Sequence, residues 1–427
     1  MLYLLLFISL IANENIIFGK PILKENDIFS LSLIKRYSYS SSIRKRSSIS
    51  NVYPLYDQEQ IEYLTKINIG TPPQEFLVSI DTGSADTWIP SISCPDKECP
   101  YKKFKTNNSR TLEWMNSSFV IQYGAGSITG NYAKDTIRLV NNNKLEDQQQ
   151  IKSQIFGLAD SAKDNIISLA TQSNGILGLS FPALAANSDT KDAYDPILFA
   201  LARQKLISEP VFSISLDQEQ MMIGGKDKSL YKGDIHYMPV VKNINPKTNE
   251  LDYTFWSIGL KNIVLNNHTD DLFINKSQND DTLVILDTGT TLSYLNKELT
   301  DKIVRWVTQR EKLSINPDTY LYTVDCKLRE NKDKRKLVFL FSSINQAIVR
   351  FEVDIQDLIS PPKNDNDSQD CIFGITYNYD EQNTFVFGDS ILRSTYLIFD
   401  MDQKQVGLAT NSKSRSFSNV NTPLFIS

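Results

Sequence analysis

The chain has 427 residues, 41% hydrophobic and 22% charged, a size and balance that suit two packed lobes and exclude a disordered chain. Its formal net charge is −5, yet residues 1–46 carry seven Lys and Arg against three Asp and Glu, so the remainder stands at −9. An acidic body repels phosphate, which argues against a nucleic-acid partner.

The first element in chain order is "LYLLLFISLIA" (2–12), an apolar run of signal-peptide length that is too short to cross a bilayer. Residues 1–19 are therefore read as a signal peptide, although no basic residue precedes the run, and a buried N-terminal helix is the alternative. Residues 20–50 are basic and Ser-rich, with Lys35-Arg36 and Arg44-Lys45-Arg46, and read as a prosegment rather than as folded structure. Its positive charge would lie over an acidic cleft until it is cut away; a solvated basic linker is the plainer reading. The rest divides into an N-terminal lobe, 51–217, and a C-terminal lobe, 218–427, joined near 217–220.

Both lobes read mostly as strand. "FVIQY" (119–123), "DTIRLV" (135–140), "VFSISL" (211–216), "LVFLF" (337–341), "AIVRFEV" (347–353) and "STYLIFD" (394–400) are short, aromatic or β-branched, and separated by Gly, Asn and Asp turns. "FVIQYGAGSITG" reads as a hairpin around a Gly-Ala-Gly turn. Two helices are expected. One is capped by Asp195 with Pro196 at its first position and Ile197, Leu198 and Leu201 on one face; the other comes after Asn296 with Leu299, Ile303 and Trp306 at helical spacing.

Chemistry enters at "FLVSIDTGSADTW" (76–88), where an apolar strand runs into Asp81. A carboxylate at the edge of a core costs several kcal/mol unless it is hydrogen-bonded or shares its charge. "LVILDTGTTLSYL" (283–295) repeats the arrangement with Asp287. Each half then carries an apolar pair ending in Gly, "NGILGLSFP" (174–182) and "FVFGDSIL" (385–392), where a close crossing of two backbones has no room for a Cβ. A duplicated half suggests a two-fold arrangement with both carboxylates at its axis.

Four cysteines allow three pairings, and Cys94–Cys99 with Cys326–Cys371 keeps each bridge within one half. No cysteine has zinc-site spacing, and His236 and His268 stand alone, so no metal and no cofactor are expected. The same facts leave Ser/His/Asp or Cys/His chemistry without support. Asn-X-Ser/Thr acceptors at Asn107, Asn116, Asn267, Asn275 and Asn366 agree with a secretory route. The tail has no anchor-like end, so no membrane attachment is expected after processing.

From "NIGTPPQEFLVSIDTGSADTWIPS" (68–91) through "YGAGSITG" (123–130) to "FVFGDSILRSTYLIFDMDQKQVGLA" (385–409), the sequence resembles the pepsin-like aspartic proteases over nearly its whole length, in the family's order. The resemblance implies a mainly β, bilobal pepsin-like fold: two pseudo-two-fold related, β-barrel-like lobes with a few short helices and a central cleft. It makes Asp81 and Asp287 the catalytic pair, sharing one proton and activating a water. Gly83 and Gly289 would admit the backbone N–H groups, Ser84 and Thr290 would bond the outer carboxylate oxygens, and Thr82 and Thr288 would tie the loops together. Tyr123, Gly124 and Ala125 become a flap over bound peptide, with Tyr123 reaching toward Trp88.

The implied activity is a monomeric, secreted aspartic endopeptidase acting on polypeptides at acidic pH, with its own prosegment as inhibitor. An acidic vacuole is the alternative destination, and an inactive binding protein of the same fold is the alternative function. Ala125 stands where many relatives carry Thr, and where those accepting Lys before the cut carry Asp, so cleavage between bulky apolar residues is expected. Ala85 replaces a usual Ser, and a third disulfide frequent in relatives is absent.

Overall fold

In the computed structural model, the residues described are 28–39, 59–124, 126–140, 150–163, 166–167, 172–266, 271–274, 281–317, 319–330, 334–360, 370–378 and 384–412. The apolar run 2–12 read as a signal peptide, the basic triplet 44–46, Ala125, Asn267, Asn275, Asn366 and the tail beyond 412 lie outside them.

Each half builds the same local frame. In the first, strand Gln74–Asp81 pairs in parallel with Ile176–Gly178, bringing Asp81 opposite Gly178; Trp88–Pro90 then pairs with Ile176–Gly178 from the other side. In the second, Thr282–Leu286 pairs in parallel with Thr384–Phe387, and Ser293–Leu295 pairs with Thr384–Phe387 through Tyr294 and Val386. The glycines that close these crossings have no room for a side chain. A Cβ on Gly178 would stand 2.4 Å from the Ala85 carbonyl carbon, and one on Gly388 would stand 2.3 Å from the Thr290 carbonyl oxygen.

Each frame belongs to an eight-stranded sheet, and a third sheet of six strands draws on both halves. Its order is Phe29–Ser32, Gln220–Ile223, Val211–Ser215, Thr395–Asp400, Gln405–Asn411, Tyr231–Pro239. Phe212 and Phe399 stack across two of its strands (4.6 Å), and Trp256 packs on both (5.7 and 5.1 Å), binding that sheet to the core beneath it.

Four of the six strands expected from sequence are present with boundaries shifted by a residue or so, while 119–123 and 135–140 are the ends of the longer strands Glu113–Gln122 and Ser127–Leu139; Tyr123 falls just past the end of the first. The segment read as a prosegment departs from the expectation that it is unfolded. Phe29–Ser32 pairs with Gln220–Ile223 at the edge of the six-stranded sheet, and Ile34–Tyr39 pairs with Glu59–Ile69, setting Lys35 opposite Tyr63 and Arg36 opposite Glu62. The reason is alternation: Phe29, Leu31 and Leu33 are all buried, a period of two masked by the basic composition around it.

Helix Lys297–Thr308 starts as expected, with the Asn296 side chain accepting from the Leu299 N–H, but it buries Val304 and Val307 and leaves Trp306 half-exposed under Arg335. Helix Ile197–Arg203 corrects the other cap. Pro196, not Asp195, is its N-cap residue, with no capping side chain; Asp195 instead pairs with Arg203. Both disulfides form in the expected pairing. Among the described residues no helix is long and apolar enough to cross a membrane.

Candidate active site

The two strand ends deliver Asp81 and Asp287 side by side to one place. Their closeness is legible in the glycines. A Cβ on Gly83 would fall 2.5 Å from the Asp287 carboxyl carbon, and one on Gly289 would fall 2.5 Å from Asp81 Oδ1. Each glycine is therefore the gap through which the opposite carboxylate is approached.

The surroundings of the pair are near mirror copies. Gly83 N–H donates to Asp81 Oδ1 at 2.8 Å and the Ser84 hydroxyl to Oδ2 at 2.5 Å; Gly289 N–H donates to Asp287 Oδ1 at 2.8 Å and the Thr290 hydroxyl to Oδ2 at 2.7 Å. These bonds hold both carboxyls in place. Burial, and after it the charge of Asp287, push the Asp81 carboxyl up to about 7, against the pull of Ser84 and Gly83. Loss of water raises Asp287 as well, with Thr290 and Gly289 pulling it back. Such a pair holds one proton where isolated carboxyls would hold none, so it presents an acid and a base side by side.

Thr82 and Thr288 are fully enclosed and bridge the two loops. Each N–H donates to the other's hydroxyl, and each hydroxyl donates onward to a main-chain carbonyl across the boundary, Leu286 for Thr82 and Ile80 for Thr288. A second tie runs from Ile61 to Thr291, whose hydroxyl accepts from the Ile61 N–H at 2.9 Å.

The hairpin Glu113–Gln122/Ser127–Leu139 stands at the edge of the first eight-stranded sheet, and its turn carries Tyr123. Trp88 Nε1 donates to the Tyr123 hydroxyl at 2.9 Å, so the residues expected to meet do meet. The two rings also lie against each other, their centroids 6.5 Å apart. Gly124 adjoins it in the turn. Of the five glycosylation acceptors, Asn107 and Asn116 are described, and both are exposed.

Asp86, buried at 3% exposure, escaped the reading of the sequence. It accepts from the Tyr132 hydroxyl (2.9 Å), the Tyr194 hydroxyl (2.7 Å) and the Ala186 N–H (2.7 Å). Its signal was its place in a segment already assigned to the interior, between Ala85 and Trp88, where an acid needs donors from elsewhere in the chain.

The eukaryotic aspartyl protease family matches residues 62–411. Among curated proteins, gastricsin of Oryctolagus cuniculus is 28% identical over 399 residues, covering 91% of each chain. Gastricsin of Homo sapiens is 28% identical over 362 residues, covering 82% of this chain and 81% of its own. Vacuolar protease A of Arthroderma otae is 29% identical over 361 residues, covering 82% and 78%. The matched span takes in both carboxylate loops and the hairpin over them, and the chain belongs to the eukaryotic aspartyl protease family.

Proposed function

We propose that this chain is a secreted, monomeric aspartic endopeptidase that hydrolyses peptide bonds between bulky apolar residues at acidic pH, with Asp81 and Asp287 as its catalytic residues. The observation that carries this reading is the contact of the two carboxyls, each seen through the other loop's glycine. With one proton on the pair, the ionised member takes a proton from a water held between them as that water attacks the scissile carbonyl. The protonated member stabilises the oxyanion and afterwards supplies the proton that the leaving amine needs. No covalent intermediate forms, and no cofactor is called on. Thr82 and Thr288 hold the loops in register, while Tyr123 closes over the peptide and excludes water.

Residues 1–19 act as a signal peptide and 20–50 as a removable prosegment that inhibits the enzyme until it is cut; residues 51–217 and 218–427 are the two lobes. Support for the prosegment comes from strands Phe29–Ser32 and Ile34–Tyr39, which occupy sheet positions beside the site-bearing half. Exposed Asn107 and Asn116 suit glycan attachment along a secretory route. The names of the relatives include both a gastricsin and a vacuolar protease, so an acidic vacuole is the second destination to test.

The test is digestion of an unfolded protein by the processed chain between about pH 3 and 6. Cleavage that survives a chelator and disappears with Asp81→Asn or Asp287→Asn supports the reading. Wild-type protein that binds the substrate without cutting it would return the chain to the binding-protein alternative. N-terminal sequencing of the secreted form locates the maturation cut.

A further inference from the structure

We infer that Asp86 is a positioning residue for the flap: its buried carboxylate pins the inner strand of the Tyr123 hairpin to the same short segment that carries Asp81. This goes beyond the proposed peptidase mechanism, which makes no use of Asp86, and it rests on that mechanism only for its kinetic readout.

The three donors to Asp86 come from three separate stretches. Tyr132 lies in Ser127–Leu139, the inner strand of the hairpin; Tyr194 lies just ahead of helix Ile197–Arg203; Ala186 comes after the short 3-10 turn Pro182–Leu184. A carboxylate taken this far from water costs several kcal/mol unless donors surround it, and each of these three bonds helps to order the stretch that supplies its donor. The ring of Tyr132 also packs on Phe119 of the outer strand (5.0 Å) and on Tyr194 (5.7 Å), which joins both hairpin strands to the same hub.

The hairpin is thus attached twice to residues 81–88. Its turn is held by the Trp88 indole through the Tyr123 hydroxyl, and its stem is held by Asp86 through the Tyr132 hydroxyl. The inner strand is also laddered to Gln150–Ala162, with Tyr132 opposite Gly157, so the two side-chain bonds add to that ladder and set the position of Tyr123 at the turn beyond it. The opposite lobe steadies the hub from behind. Asn245 Nδ2 donates to the Ala183 carbonyl at 3.1 Å, and the Lys247 ammonium donates to the Ala185 carbonyl and to the Ser188 hydroxyl. Burial pushes the Asp86 carboxyl up, while Tyr194, Ala186 and Tyr132 draw it down, as does the Lys247 charge.

Tyr132→Phe tests this with little disturbance, because it keeps the ring and removes one donor. In the processed enzyme we expect KM for a peptide substrate to rise roughly tenfold with kcat within about twofold, as loss of one buried hydrogen bond allows. Amide exchange in the peptide spanning 113–133 should speed up by a similar factor. Tyr194→Phe removes an equal bond from outside the hairpin and should leave that exchange unchanged. Asp86→Asn should restore much of what Asp86→Ala loses.

A Tyr132→Phe enzyme with wild-type KM and wild-type hairpin exchange would overturn the inference, whatever its Tm. So would equal hairpin exchange in Tyr132→Phe and Tyr194→Phe. Wild-type protein without peptidase activity would sink the proposed function instead, and the exchange experiment, which needs no turnover, would still decide the role of Asp86.

Discussion

Thr82 and Thr288 exchange hydrogen bonds across the lobe boundary, the Thr82 N–H donating to the Thr288 hydroxyl at 3.2 Å and the Thr288 N–H to the Thr82 hydroxyl at 3.0 Å. Because both residues are shut off from water, neither group has a substitute partner. Thr82→Val keeps the shape and removes the hydroxyl, leaving the Thr288 N–H and the Leu286 carbonyl unsatisfied. Denaturant unfolding should show a loss of about 2–4 kcal/mol, and kcat should fall because the carboxyls are no longer held in register.

The titration of the pair makes a second prediction. Asp81 is held above its ordinary 3.8, at about 7, so its ionised form is disfavoured in the fold. By linkage, this contribution to stability is fully present below the ordinary value and is lost as pH rises toward the folded one. Asp81→Asn cannot ionise. It should abolish turnover and yet be roughly 1–3 kcal/mol more stable than wild type near neutral pH, with little difference near pH 3. Thermal unfolding across that range checks it.

Ser84 gives a third. Its hydroxyl stabilises ionised Asp81, so Ser84→Ala raises the carboxyl further. The acid limb of the kcat/KM profile should move to higher pH, and kcat should fall by about tenfold, in a pH–rate series on a single peptide.

The fourth concerns space. Gly289→Ala places a methyl 2.5 Å from Asp81 Oδ1, at the site face rather than in the core. Activity should drop by about a thousandfold or more while the far-ultraviolet circular dichroism is retained. Gly178→Ala, by contrast, drives a methyl against the backbone of Ala85 and Asp86 and should prevent folding in an expression trial.

The repeated carboxylate loops and their glycines were legible because each is written in adjacent residues with a fixed chemical need, whereas the Trp88–Tyr123 meeting, 35 residues apart, came only from the family resemblance. Asp86 was not, since its partners Tyr132, Tyr194 and Ala186 are distant in sequence and nothing local to any of them names the others. The Asp195 cap failed for a related reason: Arg203, two turns along, offers that carboxylate an ion pair in place of helix N–H groups. Composition hid the strands at Phe29–Tyr39, where basic residues disguised an alternation that tertiary pairing completes.

That edge strand has a kinetic consequence. Phe29, Leu31 and Leu33 sink into the six-stranded sheet, and burial of that kind is worth about 1.5–3 kcal/mol per side chain. Scission anywhere in 40–58 would sever the covalent link and leave the fragment docked. The maturation proposed above would then have two clocks, a cut and a slower desorption, and dilution or mild chaotrope would hasten the second without touching the first.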